Sequence, residues 1–130
     1  MTRINWTFST LLFIGLMISS CGKNKSATTA TITLEEPVVM DTIYNGNELH
    51  IEGTVEADGK MHGYSISVLD SLNGVSYLER ASDSRKSSYA FHEHWVNNVT
   101  DTVHAVVELV VHLNDNGLKM SKKVPVILLP

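Results

Sequence analysis

A chain of 130 residues with fourteen Asp+Glu against ten Lys+Arg carries a net charge of −4. That balance excludes an overall attraction to nucleic acid or anionic lipid, both of which need clustered Lys and Arg. A single cysteine excludes an intrachain disulfide and a multi-thiolate metal site, so the chain must hold itself by an apolar core, and its length suits one domain.

In chain order, Arg3 opens a short basic region, Leu11 to Ile18 form an apolar run, and Ser19-Ser20 precede Cys21. This is the order of a secretory signal. The run is shorter than the ~20 apolar residues of a spanning helix. With cysteine at the cut site, the segment resembles a bacterial lipoprotein signal. The resemblance implies cleavage before Cys21, acylation of that cysteine and anchorage to the outer membrane. Gly22 to Ala30 is small and polar and reads as a flexible tether. It lacks the acidic cluster that follows the cysteine in many surface-exported lipoproteins of the Bacteroidota, which favours a periplasm-facing domain. The expected organisation is a signal peptide over 1–20, a lipidated cysteine and tether over 21–30, and a folded domain over 31–130.

From Thr31 apolar residues alternate with polar ones: Ile32 and Leu34; Leu49, Ile51, Gly53 and Val55; Tyr64, Ile66 and Val68; Val103 through Leu113; Leu118 through Leu128. Period-two alternation rich in β-branched residues predicts half-buried strands. Asn45-Gly46, Asp58-Gly59, Asn73-Gly74 and Asn116-Gly117 fall between these runs as hairpin signals. Pro125 cannot donate to a ladder and predicts an edge or a bulge in the last strand. The spacing of strands and turns predicts an all-β fold, an antiparallel immunoglobulin-like sandwich of about seven strands.

Six histidines follow the signal: His50, His62, His92, His94, His104 and His112. If Tyr89 to Val96 is a strand, His92 and His94 share one face, and Phe91, Glu93 and Trp95 the other. Two imidazoles so placed can approach one ion, and His62 beyond the Asp58-Gly59 turn is the candidate third ligand. Met61 beside it offers a thioether, which suits copper, whereas imidazole with carboxylate suits zinc. The same H-x-H pattern also suits a merely solvated polar face. His104 and His112 stand eight residues apart on one strand, roughly 27 Å, and cannot share an ion. With His50, they read as polar-face residues.

No nucleophile elbow and no phosphate-binding glycine loop is present, so no enzyme activity is expected. Asp83 to Ser88 reads as a solvated loop or a flap near His92. Met61-His62-Gly63-Tyr64 and His92-Glu93-His94-Trp95-Val96-Asn97-Asn98 resemble motifs of small Bacteroidota lipoproteins that carry an immunoglobulin-like sandwich. The resemblance implies an anchored envelope module without naming a ligand. Two expectations follow: a transition-metal-binding module using His62, His92 and His94 for copper or zinc, or a protein-interaction module of the envelope. The membrane is a partner through Cys21, and nucleic acid is not expected as one.

Overall fold

The computed structural model of the chain describes residues 25–130, so the expected signal peptide and Cys21 lie outside the described residues. Eight strands follow one another: β1 (Ala30–Glu36), β2 (Asp41–Tyr44), β3 (Glu48–Ala57), β4 (Gly63–Asp70), β5 (Ser76–Ser82), β6 (Ser88–Val96), β7 (Val103–His112) and β8 (Lys119–Leu129). They form a three-stranded sheet in the order β1-β3-β6 and a five-stranded sheet in the order β2-β8-β7-β4-β5. All neighbours pair antiparallel except β2 with β8. In the usual lettering this is A-B-E against A′-G-F-C-C′, an immunoglobulin-like sandwich.

The alternation read from the sequence decides which side chains meet between the sheets. Leu49, Ile51 and Val55 of β3 face Ile66 and Val68 of β4 and Val107, Leu109 and Val111 of β7, all of them buried. Val124, Val126 and Leu128 of β8 extend this core. Each such side chain removed from water contributes roughly 1.5–3 kcal/mol. At the open margin between β5 and β6, Trp95 packs on Tyr77 with ring centroids 5.8 Å apart, and Arg80 lies 3.7 Å from Glu93.

Two strands lie outside the runs that alternation predicts, and the edge expected at Pro125 is found over only part of β8. β2 and β5 gave no alternation to read: β2 has only four residues, and β5 (SYLERAS) buries only Leu78 fully. β8 is an edge strand only over its first half, because β2 pairs with it from Val126 onward. Pro125 sits at that switch, and its carbonyl accepts the Met40 amide at 2.7 Å. The N and C=O of one strand residue project to the same side, so the missing N–H is directed at the unpaired side and costs no bond to β7.

The expected tether is docked from Lys25 onward. The Lys60 amide donates to the Lys25 carbonyl, and the Ala27 amide to the Lys60 carbonyl, both at 2.9 Å. The Asp58 carboxylate accepts the amides of Thr28 at 2.8 Å and Thr29 at 3.1 Å, and the Thr28 hydroxyl. Gly46, Gly74 and Gly117 take the positive φ their turns require. Asp58-Gly59 is used differently, as this clamp on the incoming chain.

At the opposite end Asn97, fully buried, joins the two sheets. Its amide donates to the carbonyls of Ile43 at 2.8 Å and Leu129 at 2.9 Å, and its oxygen accepts the Val99 amide at 3.1 Å. These bonds satisfy backbone groups where β2, β6 and β8 end.

Candidate metal centre

β3 and β6 pair over nine consecutive positions, with His50 opposite His94 and Glu52 opposite His92. Residues directly opposite in an antiparallel pair point to the same face. Alternation sends Leu49, Ile51, Phe91 and Trp95 inward, so His50, Glu52, His92 and His94 stand together on the outer face. Glu36 of β1 is paired opposite Glu52 and extends the row by one more carboxylate.

Among the described residues, the one group of three ligand-bearing side chains with donor atoms mutually within 4.8 Å is His50, Glu52 and His92. Glu52 Oε1 lies 2.7 Å from His92 Nδ1 and 3.9 Å from His50 Nδ1. The His50 and His92 rings meet edge to face with centroids 5.9 Å apart. The His94 ring lies 6.5 Å from that of His50 and 6.4 Å from that of His92. Glu48 Oε2 approaches His50 Nε2 from the other side at 3.4 Å. Two imidazoles and a carboxylate from adjacent strands form a nitrogen–oxygen donor set suited to zinc(II) or copper(II). Metal–nitrogen bonds of roughly 2.0–2.1 Å set donors about 3.4 Å apart in a tetrahedral site, a spacing bracketed by the 2.7 Å and 3.9 Å separations from Glu52 Oε1 to the two imidazoles.

The expected trio of His62, His92 and His94 is not brought together. His62 precedes β4 at the end of the other sheet, where its Nδ1 is 2.5 Å from Asp115 Oδ1 and its amide donates to His112 at 2.7 Å. Met61 is fully buried in the core, so its thioether is packing and does not reach the imidazole face. The Asp83–Ser88 connection is not a free flap. The amides of Met61 and Ala57 donate to the carbonyls of Lys86 at 2.8 Å and Ser87 at 2.9 Å. The residues sequence reasoning missed are His50 and Glu52. Their signal was present, since His50 and Glu52 alternate outward on β3 as His92 and His94 do on β6, but strands three apart in sequence had to be recognised as neighbours.

No protein-family model and no curated protein matches the chain. Among solved structures, it is similar to the fibronectin(III)-like modules of Clostridium thermocellum CbhA at 12% identity, over 75% of this chain and 94% of that one, with a TM-score of 0.45. It is also similar to a CARDB domain from Pyrococcus furiosus, in complex with di-metal ions, at 16% identity, over 82% of this chain and 98% of that one, again with a TM-score of 0.45.

Proposed function

We propose that the protein is an envelope lipoprotein, anchored through Cys21, whose domain is a binding module for a divalent transition-metal ion. The ion, zinc(II) or copper(II), is held by His50, Glu52 and His92 on the outer face of the three-stranded sheet, with His94 beside them. The observation that carries this reading is the convergence of three donor side chains within 4.8 Å, fixed by the register of two paired strands. Burial of Met61 favours an ion of intermediate hardness over copper(I). An open, half-exposed site of this kind suits reversible binding, as in carriage or buffering, because solvent or a partner can complete the coordination sphere.

Calorimetric titration of the mature chain with zinc(II) and copper(II) tests it. The expected result is one ion per chain at micromolar affinity or tighter, weakened at least tenfold by His50→Ala and by His92→Ala and unchanged by His62→Ala. Affinity indifferent to His50 and His92 overturns the reading.

A second reading, a protein-interaction module, is favoured by the exposed run Val38, Val39 and Met40 between β1 and β2, at 62%, 68% and 51% exposure. Charge substitutions in this run that abolish an envelope crosslink while leaving metal affinity intact would favour it.

A further inference from the structure

The charge of the folded domain is not spread evenly. The end at which the described chain begins gathers Lys25, the β3–β4 connection with Lys60, the β5–β6 connection with Arg85 and Lys86, and the β7–β8 turn followed by Lys119. Backbone bonds tie these segments to one another: Lys60 to Lys25, Met61 to Lys86, and His62 to His112 beside the β7–β8 turn. The opposite end, formed by the β2–β3, β4–β5 and β6–β7 connections, carries Glu48, Asp70 and Asp101 and no Lys or Arg.

The four carboxylates at the basic end differ in how far they offset its cations. Asp58 is engaged by Thr28, Thr29 and Lys25, and Asp115 by His62 and Arg85 at 3.7 Å; Asp83, and Glu56 opposite the first residue of β6, have no ion pair among the described residues. Lys60, Lys86 and Lys119 are exposed, and none has an ion pair among the described residues. Leu118 and Met120, which flank Lys119, are 44% and 36% exposed.

We propose that this basic end is a docking surface for an anionic membrane, so that the domain stands on it with the acidic end turned away. The inference rests on the anchored reading above for its geometry. Cys21 precedes Lys25 by four residues, a span of at most roughly 14 Å even when fully extended. The ten-residue strands β3 and β7 are about 33 Å long, so an anchor at Cys21 keeps the domain from standing on its acidic end. Unpaired lysines, one of them flanked in sequence by exposed apolar residues, suit phosphate-bearing headgroups above acyl chains, and their attraction fades within a Debye length.

The test uses the mature acylated chain in vesicles of phosphatidylcholine with or without phosphatidylglycerol. A fluorophore is placed at N116C in the β7–β8 turn or at N73C in the β4–β5 turn, with a quencher on the headgroups. The expected result is quenching at position 116 at least fivefold greater than at 73 in anionic vesicles. The contrast should shrink with added salt and in the K60E/K86E/K119E variant. Equal quenching at both positions, or a contrast indifferent to lipid charge and salt, overturns the proposal. A Cys21→Ser chain, which cannot be acylated, separates the two readings. Salt-sensitive sedimentation of that chain with anionic vesicles upholds the surface even if the mass of the native chain shows no acyl group. A chain that is acylated but shows equal quenching keeps the anchor and loses the surface.

Discussion

Each of the two outer faces of the sandwich carries two histidines on a single strand, yet only one face gathers them. On β7, His104 and His112 are eight residues apart; the cross-strand neighbour of His104 is Ile127, and those of His112 are Lys119 on β8 and Gly63 on β4. None of these is a ligand for a cation, and the one carboxylate between them, Glu108, is engaged by Lys123 at 3.4 Å. On β6, His92 and His94 are two residues apart, and β3 sets Glu52 and His50 directly opposite them. Each of these two strands, β6 and β7, carries two histidines. Register decides which pair becomes a cluster, because a ligand set on a sheet needs donors at adjacent positions on adjacent strands.

The most damaging way to break this comparison acts on the register itself. A Cβ on Gly53 would lie 2.1 Å from the Thr33 carbonyl oxygen, 2.8 Å from the Phe91 ring and 3.1 Å from Leu34 Cα. Two of these three are backbone atoms of β1, so the strand itself must move. Gly53→Val should cost about 3 kcal/mol, the upper end for overpacking. It should also disturb the β1-β3-β6 sheet enough to lose metal binding, while the pairing of β7 with β8 survives; thermal unfolding and titration check both. Next in size is Asn97→Ala. It leaves the buried carbonyls of Ile43 and Leu129 without their donor, at a cost of about 1–3 kcal/mol in chemical denaturation. Because Asn97 directly follows β6, a local effect should loosen the His94 end of the cluster more than the His92 end.

How far this was legible in the sequence follows the same division. Leu49, Ile51 and Val55, or Val107, Leu109 and Val111, announce their strands because one face is buried and the other is not, which is all that alternation reports. Asp41–Tyr44 and Ser76–Ser82 are peripheral strands with little buried surface, and the pattern there is silent. His92 and His94 could be placed on one face from their spacing alone. Their partners could not, since β3 and β6 are separated by β4 and β5, which belong to the other sheet. His62 misled because adjacency to a turn leaves its direction free; Asp115, more than fifty residues later, fixes it. The negative net charge likewise concealed a basic end, because an average has no position.

At the level of single ligands the comparison can be sharpened. His50→Ala or His92→Ala should each weaken zinc(II) or copper(II) binding at least tenfold, about 1.4 kcal/mol, and His94→Ala by less, since its ring stands farther from the other two. His104→Ala and His112→Ala should change nothing. A gain-of-function variant makes the stricter case: Val106→His creates an H-x-H pair on β7 opposite Leu69 and Pro125, with no cross-strand carboxylate facing it and with Glu108, two residues on, held by Lys123. Its site should bind at least tenfold more weakly than the β3–β6 cluster in a His50→Ala/His92→Ala background. Equal affinity would mean that spacing along one strand suffices and that cross-strand register is irrelevant.

The smallest effect, and the control for the rest, belongs to Asp58. The Thr28 hydroxyl, the amides of Thr28 and Thr29, and the nearby Lys25 lower its carboxyl from the ordinary 3.8 to about 2, against a weaker opposing effect of desolvation. The folded state therefore binds this proton less readily than the unfolded chain. The clamp's contribution to stability is fully present above pH 3.8 and is lost as pH falls toward 2. Asp58→Asn should remove that contribution, so the stabilities of native and variant chains, measured against pH, should converge across this window. The effect should be modest because the group is exposed and screened by solvent. Metal affinity at neutral pH should be unchanged, because Asp58 follows the last residue of β3 while His50 and Glu52 lie toward its start. A fall in affinity would show that the docked N-terminal segment props the register of β3, and the two ends of the sheet would then be one mechanical unit.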